Sequence, residues 1–235
     1  MRVSSEKIAI LGGTFNPIHR CHLALAREIR SRLGFDRILF VPTGDPPHKR
    51  HQDLAPAADR LAMVRLAIQG EPGCAVSDLE VRRTGRSYTI DTLTELGAKA
   101  GEATPWHFCL GLDAFLDIGT WHRAAELLAL CHFVVVSRPG VRFSRLSTLG
   151  VLPTPDPARL HAMDEGRLES VILPLSPDRT LTLLTIPPCP VSASMVRQRV
   201  ARGLGTEGLL PPPVERYIIH ARLYQESHNP TRSQG

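Results

Sequence analysis

Residues 7–33 read "KIAILGGTFNPIHRCHLALAREIRSRL", and the order of residue types in this stretch decides the fold. The apolar run "KIAIL" (7–11) predicts a strand, and Gly12, Gly13 and Thr14 end it. Beyond the glycines, Leu23, Ala26, Ile29, Arg30 and Leu33 keep a spacing of three and four, which predicts a helix. Glycines at a strand-to-helix junction let the backbone approach a phosphate closely, because they carry no Cβ. The helix start behind them adds unpaired N–H groups and the positive end of the dipole.

The same alternation continues down the chain. Short runs rich in Val, Ile, Leu and Phe recur at "RILFVP" (37–42), "CAVSDLE" (74–80), "HFCLGL" (107–112) and "HFVVVS" (132–137), and "RTLTLLTIPP" predicts a sixth strand. Helical spacing falls between them: Leu61, Val64, Arg65 and Ile68 after "PAAD", then "YTIDTLTELGAKAG" and "AAELLAL". Two more helices are predicted late in the chain, "SASMVRQRVARG" with a serine N-cap and "PPPVERYIIHARLY" after prolines. Alternating strands and helices imply a doubly wound, Rossmann-like parallel sheet with helices on both faces and a helical C-terminal portion. The loops at the strand C-terminal ends then share one edge, where ligands of open α/β sheets bind. A single domain over 1–225 is expected, with 141–175 an irregular, proline-rich insertion and 226–235 a disordered tail.

At 235 residues and 43% hydrophobic the chain can bury a substantial core, and its scarce aromatics predict an aliphatic one. The 28 Lys and Arg against 23 Asp and Glu give a formal charge of +5, which suits a polyanion without choosing between ATP and nucleic acid. No dense basic cluster interleaved with aromatics appears, so no nucleic-acid partner is expected. The five cysteines, Cys21, Cys74, Cys109, Cys131 and Cys189, form no C-x-x-C pair and are expected to be reduced thiols. Only four apolar residues follow "MRVSSEK", and no uncharged apolar run approaches the ~20 residues of a membrane span. No membrane partner and a cytoplasmic location are the expectation.

His19 and His22, three residues apart, can present two imidazoles to charge building on a phosphoryl oxygen. "GGTFNP" is neither G-x-G-x-x-G nor a P-loop, which weakens hydride chemistry and P-loop chemistry together. No second cluster with ligand spacing follows His19, Cys21 and His22, so no metal site is expected. Two histidines that only cap or pack remain the bland reading.

Five stretches in order resemble the HxGH nucleotidyltransferases, and within them the bacterial nicotinate-nucleotide adenylyltransferases. "GGTFNPIHRCHL" is similar to that family's GGTFDPIHxGHL, "VPTGDPPHK" to PTxxPPHK, and "RSYTIDTL" to SYTxDT. "GLDAFLDIGTWHRAAEL" is similar to its GxD followed by tryptophan, and "PVSASMVRQRV" to ISSTxIR. Cys21 stands where the motif has glycine, Asn16 where it has aspartate, and Ala193 and Ser194 where it has serine and threonine. A thiol at Cys21 would lie near the phosphate path and could make the protein oxidation-sensitive.

The resemblance implies adenylyl transfer from ATP to nicotinate mononucleotide, giving deamido-NAD and pyrophosphate. It implies catalytic roles for His19, His22, Lys49 and Arg197. ATP would meet Gly12, Gly13, Thr14, Phe15, Gly111, Asp113, Ser192 and Ser194, with Mg²⁺ carried in by the nucleotide. Nicotinate mononucleotide would meet Thr43, Tyr88, Thr89, Trp121, His122 and Arg138. Taken singly, Trp121 could be core, Asp113 a helix cap, and Arg197 and Lys49 solvated charges. An adenylyltransferase for another acceptor (nicotinamide mononucleotide, phosphopantetheine) is one alternative, and a non-catalytic nucleotide-binding regulatory module is another. Oligomeric state is left open.

Overall fold

The computed structural model describes residues 6–47, 54–100, 106–150, 152 and 156–225. The strands are β1 (Ile8–Gly13), β2 (Arg37–Pro42), β3 (Cys74–Val76), β4 (His107–Gly111), β5 (His132–Val136), β6 (Ser170–Ser176) and β7 (Arg179–Leu184). They form one seven-stranded sheet in the order β3-β2-β1-β4-β5-β7-β6, parallel except for β6 on β7.

The helices are α1 (Arg20–Leu33), α2 (Ala57–Ile68), α3 (Leu79–Arg82), α4 (Thr89–Ala100), α5 (Leu112–Leu116), α6 (Ala124–Leu130), α7 (Pro157–Asp164), α8 (Ala193–Ala201) and α9 (Pro212–His220). The inner strands β1, β2, β4, β5 and β7 divide their side chains between two cores, as a period of two demands. Ala9 and Leu11 of β1, with Val134 and Val136 of β5, face a core closed by Leu25 and Ile29 of α1, Met63 and Val64 of α2, Val196 of α8 and Val214 and Ile218 of α9. Ile10, Phe133 and Val135 point the other way, onto Ile90 and Leu93 of α4, Phe115 of α5, Leu127 of α6 and Leu160 of α7. Gly34, in the left-handed region at φ 64°, ends α1 and turns the chain into β2.

The structure differs from the sequence reading in three places. "CAVSDLE" is a strand only as far as Val76, after which the chain turns into α3. Segment 141–175, expected to be irregular, contains a 3-10 helix at Phe143–Thr148, helix α7 and most of β6. Asp156 caps α7 by accepting the Ala158 N–H, and Pro157 suits its first turn. Pro174 is tolerated in β6 because that strand lies at the sheet edge.

The cysteines are the third difference. Cys21 and Cys189, expected as thiols, are joined in a disulfide with Cα atoms 5.7 Å apart, while Cys74, Cys109 and Cys131 are free. The first turn of α1 and the loop ahead of α8 meet at the strand-end edge, within reach of such a bond. The expected tail, 226–235, lies outside the described residues. Among those described, no helix is long and apolar enough to cross a membrane.

Candidate active site

The sheet order reverses between β1 and β4: the chain leaves β1 for β2 on one side and later places β4 on the other. The loops after these strands diverge and open a crevice at the strand C-terminal ends. Two cavities lie there. The first, about 400 Å³, is walled by Gly12, Gly13, Thr14 and Phe15 from the first loop and by Thr43, Gly111 and Arg138 from the ends of neighbouring strands. Tyr88, Thr89, Trp121 and His122 close its far side. The second, about 440 Å³, is walled by His19, Cys21, Cys189 and Ser192. His22 and Arg138 belong to both.

The histidine pair sits where this crevice meets α1. His19 is the N-cap and His22 is the third helical residue, with ring centroids 3.8 Å apart. Nδ1 of His22 accepts the His19 N–H at 3.1 Å, so a neutral His22 carries its proton on Nε2. His19 is 6% exposed, and its Nδ1 is buried with no hydrogen-bond partner. Burial first, and then the Arg138 guanidinium, lower the His19 pKa from 6.5 to about 4, so its ring is neutral at pH 7.

Behind the first loop, Asn16 is 3% exposed. Its Oδ1 accepts from the Ala55 N–H at 3.0 Å and the Tyr224 hydroxyl at 2.8 Å. These donors would suit an aspartate as well, which explains how the position tolerates either residue. Arg197 donates from Nη1 to the Asn16 carbonyl at 2.8 Å and lines neither cavity. Ser192 caps α8 by accepting the Met195 N–H, and its hydroxyl lies 3.1 Å from that of Ser194. Asp113 is exposed and pairs with Arg138 at 3.3 Å, the two together flanking Gly111. Lys49 lies outside the described residues.

On the far side, the Tyr88 and His122 rings lie 4.3 Å apart, and Trp121 meets Phe108 edge to face at 6.3 Å. The "SYTIDT" stretch braces this wall. Ser87 takes the Asp45 N–H on its hydroxyl and donates its own N–H to the Asp45 carbonyl. The Thr92 hydroxyl donates to the buried Glu80 carboxyl at 2.7 Å. Burial pushes the Glu80 pKa up, with hydrogen bonds from Thr92, Ser87 and the Gly44 N–H opposing it.

Three residues of the site escaped sequence reading: Gly44, Arg60 and Glu80. A Cβ at Gly44 would run into the Glu80 carbonyl, so only glycine lets the loop after β2 pass there. Arg60 left only the trace of a charge on the helical face of Met63, Val64 and Ala67, which does not name its partners.

The crevice lies at the reversal of a parallel sheet, with a glycine loop and two imidazoles at a helix start, an arrangement suited to the phosphates of a nucleotide. The cytidylyltransferase-like family model matches residues 10–199. A protein of Dehalococcoides mccartyi named "Probable nicotinate-nucleotide adenylyltransferase" is 41% identical over 220 residues, covering 94% of this chain and 98% of that one. A Gloeobacter violaceus protein of the same name is 43% identical, covering 93% and 96%. The chain therefore belongs to the nicotinate-nucleotide adenylyltransferase family. The fold agrees with that of the Plasmodium falciparum nicotinic acid mononucleotide adenylyltransferase solved with NaAD, at TM-score 0.69 and 19% identity, covering 93% of this chain and 97% of that one.

Proposed function

We infer that this chain transfers the adenylyl group of ATP to the phosphate of nicotinate mononucleotide, releasing pyrophosphate and forming deamido-NAD. The observation that carries this reading is the pair of adjoining cavities that share His22 and Arg138. One has an aromatic wall facing a glycine loop, and the other has His19 and a serine-capped helix.

The acceptor phosphate is largely ionised near neutral pH, so no general base is needed to make it a nucleophile. The remaining barrier is alignment of two anions and the charge that develops on the α-phosphoryl oxygens and on the leaving pyrophosphate. Gly12, Gly13, Thr14 and Phe15 would cradle phosphate, and His22 would donate from Nε2 to the reacting centre, with His19 beside it. Ser192, Ser194, Arg197 and Lys49 would meet the β and γ phosphates. Gly111 and Asp113 would meet the adenosine ribose.

Mg²⁺ would arrive with ATP and offset the triphosphate charge. Among the described residues no group of three or more His, Cys, Asp or Glu is placed to hold a metal. The imidazoles, hydroxyls and guanidinium around the second cavity suit a phosphate-borne Mg²⁺ that keeps oxygen ligands and water. On the aromatic side, the pyridine ring would stack on Trp121, near Tyr88 and Thr43, and backbone N–H groups near Thr89 and His122 would take its carboxylate. An amide NH₂ would meet those donors with a donor, which favours the acid.

The test is pyrophosphate release by the purified protein with Mg²⁺ and ATP, with nicotinate mononucleotide, nicotinamide mononucleotide and phosphopantetheine as competing acceptors. Preference for the acid supports the reading. Preference for another acceptor overturns the substrate assignment, and ATP binding without turnover on any acceptor overturns the reaction.

A further inference from the structure

Arg60 of α2 is a fully enclosed arginine, 1% exposed, and no carboxylate of the described residues forms an ion pair with it. Its guanidinium is spent on carbonyls. Nε donates to Ala55 at 3.0 Å, Nη1 to Thr14 at 2.8 Å and to Thr43 at 2.5 Å, and Nη2 to Gly44 at 2.8 Å. These acceptors come from the loop after β1, the loop after β2 and the approach to α2. An apolar side chain would fill this face of α2 without the desolvation of a charge, which burial disfavours and the Glu80 carboxyl offsets only in part. The charge is therefore explained by what it holds.

A trans peptide unit points its C=O and the following N–H in opposite directions. Pinning a carbonyl onto Arg60 therefore aims the next amide away from it. The Thr43 carbonyl is pinned, and the Gly44 N–H reaches the Glu80 carboxyl. With the Gly44 carbonyl pinned, the Asp45 N–H reaches the Ser87 hydroxyl at 3.2 Å. The third pinned carbonyl is that of Thr14, and the amide it aims is that of Phe15, whose backbone is left-handed at φ 47°. Phe15 lines the 400 Å³ cavity, and among the described residues its N–H has no acceptor.

We propose that Arg60 is a positioning residue for phosphate: it orients the loop after β1 so that the Phe15 amide faces the anion, and it registers the loop after β2 against it. This rests on reading Gly12–Phe15 as the phosphate cradle. Arg60 itself touches no substrate and acts through the backbone. Lysine keeps the charge but carries its three N–H donors on one nitrogen, which cannot span carbonyls now held by Nε, Nη1 and Nη2, and methionine keeps only the bulk.

The probe is inorganic pyrophosphate, whose binding can be measured without turnover. Calorimetry at 10 °C compares wild type, Arg60→Lys and Arg60→Met, with near-UV circular dichroism as the check on folding. Arg60→Met is expected to bind pyrophosphate roughly tenfold or more weakly, because an aimed amide is lost to a charged ligand. Arg60→Lys should fall between it and wild type. In the variants the Phe15 amide resonance should move, and kcat should fall by a larger factor than the KM for nicotinate mononucleotide rises.

A folded Arg60→Met with pyrophosphate affinity within twofold of wild type overturns the proposal. Should methionine fail to fold, Arg60→Lys decides by the same criterion: weaker binding with a shifted Phe15 amide supports it, and unchanged values overturn it. Arg60-dependent pyrophosphate binding by a wild type that turns over no acceptor would support this proposal while overturning the transfer reaction.

Discussion

Replacing His19 with glutamine should flatten the acid limb of the stability curve. In the unfolded chain a histidine takes its proton near pH 6.5, whereas folded His19 takes it only near pH 4, because burial and the Arg138 charge both oppose the imidazolium. Between those values the unfolded state binds more protons, so stability falls as pH falls. The stability that neutral His19 supplies is fully present above about pH 6.5 and is lost by about pH 4. A displacement of about 2.5 pH units corresponds to about 3 kcal/mol for this one ring. Urea melts at pH 7, 6, 5 and 4.5 on wild type and His19→Gln give the measurement, read as the pH dependence of the difference. The raised pKa of Glu80 acts in the opposite sense and the lowered pKa of His132 in the same sense, but both are common to the two proteins and cancel. Equal losses between pH 7 and pH 4.5 in both proteins would refute the reasoning, since the folded ring would then titrate as a solvated one.

The other expectations address separate parts of the site. If the His22 Nε2 proton acts where charge develops, as proposed, His22→Ala should lower kcat by about 10²–10³ while weakening ATP binding far less; equal losses in both would place His22 in ground-state binding. Reducing the Cys21–Cys189 bond, which spans 168 residues of sequence, should lower the unfolding free energy by about 2–5 kcal/mol. Denaturant melts with and without reductant, with the bond confirmed by mass spectrometry, check it, and coincident melts would refute the stabilisation. Gly44→Ala should cost about 1–3 kcal/mol, because its Cβ meets the Glu80 carbonyl. Gly97→Ala, a helix position open to solvent, should instead gain about 0.5–1 kcal/mol, and similar Tm shifts for the two would contradict the close approach.

What could be read without coordinates was local. "KIAIL" followed by two glycines and a helical rhythm predicts β1, its loop and α1, and the structure has all three. The serine cap of α8 was legible for the same reason, since a cap lies within one turn of the helix it starts. β6 was hidden because Pro174 interrupts its pattern, and only its edge position makes a proline acceptable. The Cys21–Cys189 pair was hidden because five cysteines without a paired motif say nothing about which two the fold brings within 5.7 Å.

Arg60 and Glu80 were hidden for a different reason. A charge on an apolar helical face has no meaning in sequence until its partners are known, and here the partners of Arg60 are carbonyls from three separate segments. The residues read first, His19 and His22, stand at the start of α1 beside the second cavity. Their geometry depends on backbone that Arg60 and Asn16 hold from behind: one fixes the Thr14 carbonyl, and the other ties the loop to Ala55 and Tyr224. A site assembled this way would present imidazoles and amides to an anion, with the Arg138 guanidinium beside both cavities. The buried guanidinium does its work through peptide planarity, and that is also why substitution at Arg60 should be felt at Phe15, in a different segment of the chain.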